Sequence, residues 1–274
     1  MSMTAEFIDA ARGKLFVLLH TPPPGVRVRG CVLYVHPFAE EHNKSRRMAA
    51  NQARAWAEDG FLVAMPDLFG CGDSEGDFGD ADWAGWLDDV RHCADWLQRR
   101  HAGPLILWGL RGGCLLIGEA CAVEPRLRPA ATVFWQPVVN GELFLMQFLR
   151  LRMASGMLAG ERENTRALRA RLEAGESLEV AGYRLAPALA SGLAVARLQP
   201  PVSGVVHWFE LAASPDATLP PASRNCMAEW QARAVDVRSA ICTGEPFWAT
   251  QEIREAPALI EQTRTVLQTL ALEC

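Results

Sequence analysis

The apolar positions of this chain fall into two alternating rhythms. Glu6–Ala10 and Lys14–His20 read as two short strands across a turn at Gly13, and Thr21-Pro-Pro-Pro-Gly25 then breaks the pattern. Gly30–His36 is a continuous apolar run of strand length, as expected of a strand buried on both faces. Arg46–Asp59 reads as a helix that stops at Gly60, and Phe61–Pro66 is the next buried strand. In Asp82–Arg100, the residues Trp83, Trp86, Leu87, Val90, Ala94 and Leu97 recur at spacings of three and four, so one helix face is apolar. Pro104–Trp108 is a strand, Gly109–Gly113 a tight turn, Cys114–Ala122 a helix and Ala131–Gln136 a further strand. Such alternation of strand and helix predicts a parallel sheet with helices on both faces.

From Gly141 to about Pro201 helical segments and turns replace the alternation, and Arg150, Arg152, Arg162, Arg166, Arg169 and Arg171 cluster there. This segment reads as an insertion over the carboxyl edge of the sheet. Its arginines suit either an anionic sugar or lipid, or exposed pairs with Glu161, Glu163 and Glu173. The alternation then returns as strand Gly204–Glu210, helix Ala222–Ala232, strand Val235–Thr243 and helix Ile253–Leu272. The 274 residues are read as one domain.

Composition narrows the function classes. With 27 basic residues against 32 acidic ones, the net charge is −5, which gives no broad basic footprint for nucleic acid. No apolar stretch reaches the ~18 uninterrupted residues of a membrane span; Arg111 and Glu119 interrupt the nearest one, Pro104–Ala122. The first ten residues contain acids and no apolar run, so no secretory leader is expected. The eight cysteines form no CxxC pair and no metal-ligand spacing. They read as small buried residues of a reducing compartment, hence a cytoplasmic protein with no metal and no cofactor.

The most informative segment is Gly109-Leu110-Arg111-Gly112-Gly113, a turn from a buried strand into a helix. Its glycines are spaced as in a G-x-S-x-G nucleophile elbow, where the strained middle residue stands at the top of the sheet. That middle residue here is Arg111, whose guanidinium stays protonated and cannot attack a carbonyl. The turn matches neither a P-loop nor a dinucleotide fingerprint.

Over its whole length the sequence resembles the α/β-hydrolases. His36-Pro37-Phe38 resembles the loop that supplies part of their oxyanion hole, and Asp67-Leu-Phe-Gly70-Cys-Gly72-Asp-Ser74 resembles their D-x-x-G-x-G-x-S loop. The stretches HPFAEEHNKSRR, PDLFGCGDSEGDF, WGLRGG, WQPVVNGELFLMQFLRLR and GEPFW are similar to the second of two hydrolase-like families that accompany exosortase A systems in bacteria. The resemblance implies an α/β-hydrolase fold with a mostly parallel eight-stranded sheet and a helical lid near 141–201. It also implies a hydrolase of exopolysaccharide metabolism acting on an ester, acyl or glycan-linked group.

Carried onto this chain, the triad is incomplete. Arg111 takes the nucleophile position, Asp216 matches the acid loop, with Glu142 as the other acid candidate, and the loop due to hold the base reads Gly244-Glu245-Pro246-Phe247-Trp248. No histidine follows His207, so a serine mechanism lacks its base as well as its nucleophile. The resemblance therefore leaves two readings: an enzyme of other chemistry, or a pseudoenzyme that binds a ligand or a protein partner of the same system. The candidate ligand-contacting residues are His36, Pro37, Phe38, Glu40, Glu41, Gly112, Glu142 and Trp248. At a helix N-terminus Arg111 faces an unfavourable dipole. An internal carboxylate (Glu40, Glu41, Glu142 or Glu245) or a ligand anion is expected to compensate it. His36 is read as structural, His42 as solvated, His207 as a satisfied buried histidine, Cys114 as packed and Ser74 as a loop cap.

Overall fold

The structure is a computed structural model describing residues 1–158, 164–214 and 216–269. The chain opens with a hairpin, β1 (Ser2–Ala10) and β2 (Gly13–Thr21). Then come β3 (Gly30–Val35), α1 (Glu40–Glu58), β4 (Phe61–Pro66), α2 (Trp83–Arg100), β5 (Leu105–Leu110), α3 (Gly112–Val123) and β6 (Ala131–Trp135). Segment 141–201 contributes α4 (Gly141–Leu158), α5 (Thr165–Glu173), the small hairpin β7 (Leu178–Val180) and β8 (Tyr183–Leu185), and α6 (Pro187–Val195). The chain ends with β9 (Val205–Ala212), α7 (Pro221–Ala232), β10 (Val237–Thr243) and α8 (Pro257–Thr269).

The eight-stranded sheet has the order β1-β2-β4-β3-β5-β6-β9-β10. Pairings β1–β2 and β2–β4 are antiparallel; the others are parallel. The expected mostly parallel sheet flanked by helices is therefore the fold. Every residue of β3, β5 and β6 is buried, because helices cover both faces. On one face, Met48 and Trp56 of α1 and Leu259 and Leu267 of α8 pack with Phe61, Trp108 and Trp135. On the other, Trp86 and Leu97 of α2, Ile117 of α3 and Trp230 of α7 form the second core. From β3 the chain crosses to β4 on one side, and from β5 to β6 on the other. The connections leaving β3 and β5 thus diverge, and the crevice between them is where open α/β sheets bind ligands.

Several boundaries differ from the sequence pattern. Helix α1 begins at Glu40, six residues before the apolar period suggests, because Ala39 turns the chain abruptly at φ 49° and ψ −124° and two glutamates favour the helix N-terminus. Helix α3 begins at Gly112, so the elbow is shorter than the glycines imply. Helix α8 begins at Pro257, and Ile253 lies exposed outside it. The predicted end of that helix at 270–272 lies outside the described residues, as do Glu161, Arg162 and Glu163. The segment read as helices and turns also contains the β7–β8 hairpin. No helix among the described residues is long and apolar enough to cross a membrane.

Candidate functional site

Two strained turns leave adjacent strands at the carboxyl edge of the sheet. Arg111 links β5 directly to α3 with φ 54° and ψ −118°, a conformation that costs a non-glycine residue about 1–3 kcal/mol. Backbone bonds hold it there: its N–H donates to Trp135 O at 3.0 Å, and its carbonyl accepts from Cys114 N at 3.1 Å and Val138 N at 3.3 Å. The flanking glycines are required by close approach. A Cβ on Gly113 would stand 2.2 Å from the Val35 carbonyl, and one on Gly109 2.9 Å from the Ile117 side chain. The local geometry is that of an elbow presenting its middle residue.

That residue does not stand alone. Arg111 Nε donates to Glu41 Oε1 at 3.1 Å, with the two side chains 17% and 10% exposed. Its guanidinium lies 5.3 Å from the Phe144 ring centre and 5.4 Å from that of Trp248. Beside it is an open cavity of about 180 Å³ whose walls include Phe38, Glu40, Glu41, Phe148 and Trp248. The other oxygen of Glu41, Oε2, is buried without a hydrogen-bond donor, and so is Oε2 of Glu40. Burial pushes the Glu41 carboxyl up to about 7 against the pull of Arg111, and burial also raises that of Glu40.

The space expected to serve as an oxyanion hole is largely filled. A Phe144 ring atom lies 3.2 Å from where a Gly112 Cβ would sit, and Phe38 packs against Phe78, Trp86, Phe144 and Phe148. The void left among His36, Pro37, Phe38 and Gly112 is about 10 Å³, the threshold for a single water. Cys114 is fully buried and its thiol is pushed far up by that burial, so it is no displaced nucleophile.

The other candidates lie apart from Arg111. Glu142 is bound by Arg169 of α5, which also pairs with Glu173, so the internal carboxylate that compensates Arg111 is Glu41. Glu245 is 61% exposed and pairs with Arg254 at 3.1 Å. Asp216 is exposed on the loop after β9, where its N–H donates to Ser214 Oγ at 3.3 Å. The structure thus joins Phe38, Glu40, Glu41, Arg111 and Trp248 around one cavity and leaves Asp216, Glu142 and Glu245 outside it.

Sequence reading missed two buried polar groups. Glu210, 3% exposed near the end of β9, accepts from Trp208 Nε1 at 2.8 Å and Ser223 Oγ at 2.5 Å. A glutamate inside the apolar run of that strand was the available signal. The second is a cluster around Asp67, which is 3% exposed. It accepts from Arg46 Nη2 at 3.1 Å and from Asp73 N at 3.0 Å, and His42 Nε2 lies 3.3 Å away. His42 is buried, contrary to expectation, and stacks on His36 with ring centres 3.9 Å apart. His36 is pinned in turn: Nδ1 lies 2.8 Å from Pro37 O, and Nε2 accepts from Leu68 N at 3.2 Å. Burial, followed by the charge of His42, lowers His36 to about 3, so it is a neutral structural imidazole. Burial opposes ionisation of Asp67, but the hydrogen bond and charge of His42 and the further partners hold its carboxyl well below the usual range. Ser74 completes the loop, accepting from Phe16 N at 2.8 Å and donating to Asp67 O at 2.6 Å. His207 is buried, but its Nε2 has no partner. No group of three or more His, Cys, Asp or Glu residues suited to a metal occurs among the described residues.

Comparison with known proteins agrees with this architecture. A sequence model of the X-Pro dipeptidyl-peptidase (S15) family matches residues 14–143, just under half the chain. Est1E from Butyrivibrio proteoclasticus, solved with ferulic acid bound, superposes with a TM-score of 0.69 at 15% identity over 96% of this chain and 98% of its own. A soluble variant of monoglyceride lipase from Saccharomyces cerevisiae gives 0.66 at 14% identity, over 97% of this chain and 95% of its own. A thermostable carboxyl esterase from Bacillus coagulans gives 0.65 at 14% identity, over 98% of each chain. No curated protein matches the sequence. The chain has the α/β-hydrolase fold. At these identities the structural likeness defines architecture, not activity.

Proposed function

We propose that this protein is an α/β-hydrolase-like ligand-binding module without serine-hydrolase chemistry. The observation that carries the reading is Arg111 at the elbow, paired with Glu41 beside an open cavity. A guanidinium offers no nucleophilic lone pair. The positions matching the triad acid and base, Asp216 and Glu245, do not reach it, and aromatic rings fill the space a tetrahedral intermediate needs. What remains is a pocket with charged and aromatic walls under segment 141–201, which we read as a lid. The motif resemblance suggests its setting, a bacterial exosortase-associated system in which the scaffold serves a ligand or a protein partner. Fluorophosphonate labelling and p-nitrophenyl ester hydrolysis test the reading. The expected result is no covalent label and no turnover above the buffer blank. Stoichiometric labelling overturns it, because a nucleophile would then exist.

A further inference from the structure

Glu40 and Glu41 feel the charges of Arg111 and Lys44, but only Oε1 of Glu41 is bonded, by Arg111. Glu41 is only 8% exposed, yet its Oε2 has no donor, and Oε2 of Glu40 is equally orphaned. A buried carboxylate oxygen without a donor is costly, and native structures tolerate it where something else supplies the hydrogen bond. The missing partner is a donor. A carboxylate or phosphate ligand would instead bring a further negative charge against two glutamates.

The walls say more about the donor. Phe38, Phe144, Phe148, Leu151 and Trp248 are apolar and suit a hydrocarbon body beside the charged groups. A metal ion needs several more oxygen or nitrogen ligands than two glutamates provide. At about 180 Å³ the cavity is smaller than the ~300–1,000 Å³ typical of pockets for drug-sized ligands. It fits one charged head with a short hydrocarbon body.

We propose that this pocket binds a small organic ammonium, its charged head beside the Glu40 and Glu41 carboxylates and its hydrocarbon part against Phe144, Phe148 and Trp248. The proposal rests on reading the cavity as a ligand site. It replaces the ligand anion, one of the two expectations for Arg111, with a cation.

The test titrates the full chain with n-butylammonium, butyrate and 1-butanol, following the Arg111 Nε–H and Trp248 indole resonances by NMR. Saturable shifts with butylammonium are expected, at least tenfold tighter than with butanol, and none with butyrate. Glu40→Gln and Glu41→Gln are each expected to weaken butylammonium at least tenfold, whereas Glu245→Gln, outside the pocket, leaves it unchanged. Glu40 is less buried than Glu41, so its variant serves if Glu41→Gln does not fold. The proposal is overturned by butyrate binding as well as butylammonium, by affinity that survives the glutamine variants, or by no saturable butylammonium shift at tens of millimolar. None of those results restores hydrolysis, which the fluorophosphonate experiment tests separately.

Discussion

Neighbouring residues of one helical turn, Glu41 and His42, enter two buried polar clusters of opposite character. His42 joins a closed cluster in which Asp67 receives Arg46 and the Asp73 amide, and His36 and Ser74 tie the surrounding backbone. Glu41 joins an open one, where Arg111 satisfies one oxygen and the other has no donor. A satisfied network rigidifies what it connects, and here it fixes the Asp67–Ser74 loop to β3 and α1. A half-satisfied network is expensive as structure, and it adjoins the cavity. Burial alone therefore does not separate the two clusters; an unmade hydrogen bond beside a cavity does.

That contrast predicts unequal losses. Asp67→Ala should cost about 3 kcal/mol, since it removes at once the partner of Arg46, of the Asp73 amide and of the buried His42. The pH dependence should change too. Asp67 has a folded pKa below its unfolded value, so its contribution is complete above about pH 4 and is lost as the pH falls through the folded value. His36 and His42 are likewise lowered by burial, so they contribute fully above about pH 6.5 and less on acidification. All three make the wild type weaken in acid, and urea titrations of Asp67→Ala should show a flatter acid limb. Arg111→Met should cost less, about 2 kcal/mol, because Glu41 escapes its lost partner by taking up a proton. Equal losses in the two variants would erase the distinction between closed and open clusters.

The sequence made the scaffold far more legible than the site. Continuous apolar runs located β3, β5 and β6, because those strands are buried on both faces. Gly109 and Gly113 marked the elbow, since a side chain at either would strike neighbouring atoms. The partner of Arg111 could be narrowed only to four glutamates. Glu41 lies 70 residues away and reaches it only because β3 and β5 are adjacent in the sheet. Glu142 and Glu245 looked equivalent until Arg169 and Arg254 were found to hold them. His42 looked solvated because its chain neighbours are polar. It is buried against His36 and meets Asp67, which the β3–β4 pairing brings over, contacts no local pattern encodes.

The smallest effect is the most discriminating. Glu41→Gln keeps the size of the side chain and an oxygen for Arg111 Nε, so at pH 7 its stability should lie within about 1 kcal/mol of wild type. The difference should nevertheless depend on pH, with a sign opposite to that of Asp67. The folded Glu41 pKa is raised to about 7, chiefly by burial, above its unfolded value. Its contribution is therefore complete below about pH 4.5 and is lost as the pH rises through 7. Wild type should gain about 1 kcal/mol on Glu41→Gln between pH 8 and pH 6, measured by paired urea titrations. If the difference holds constant across that interval, Glu41 stays ionised in a closed pair with Arg111, and the open cluster is as settled as the one around Asp67. If it shifts as expected, the protein carries at its elbow a buried carboxylate that is poised between charge states and lacks a donor.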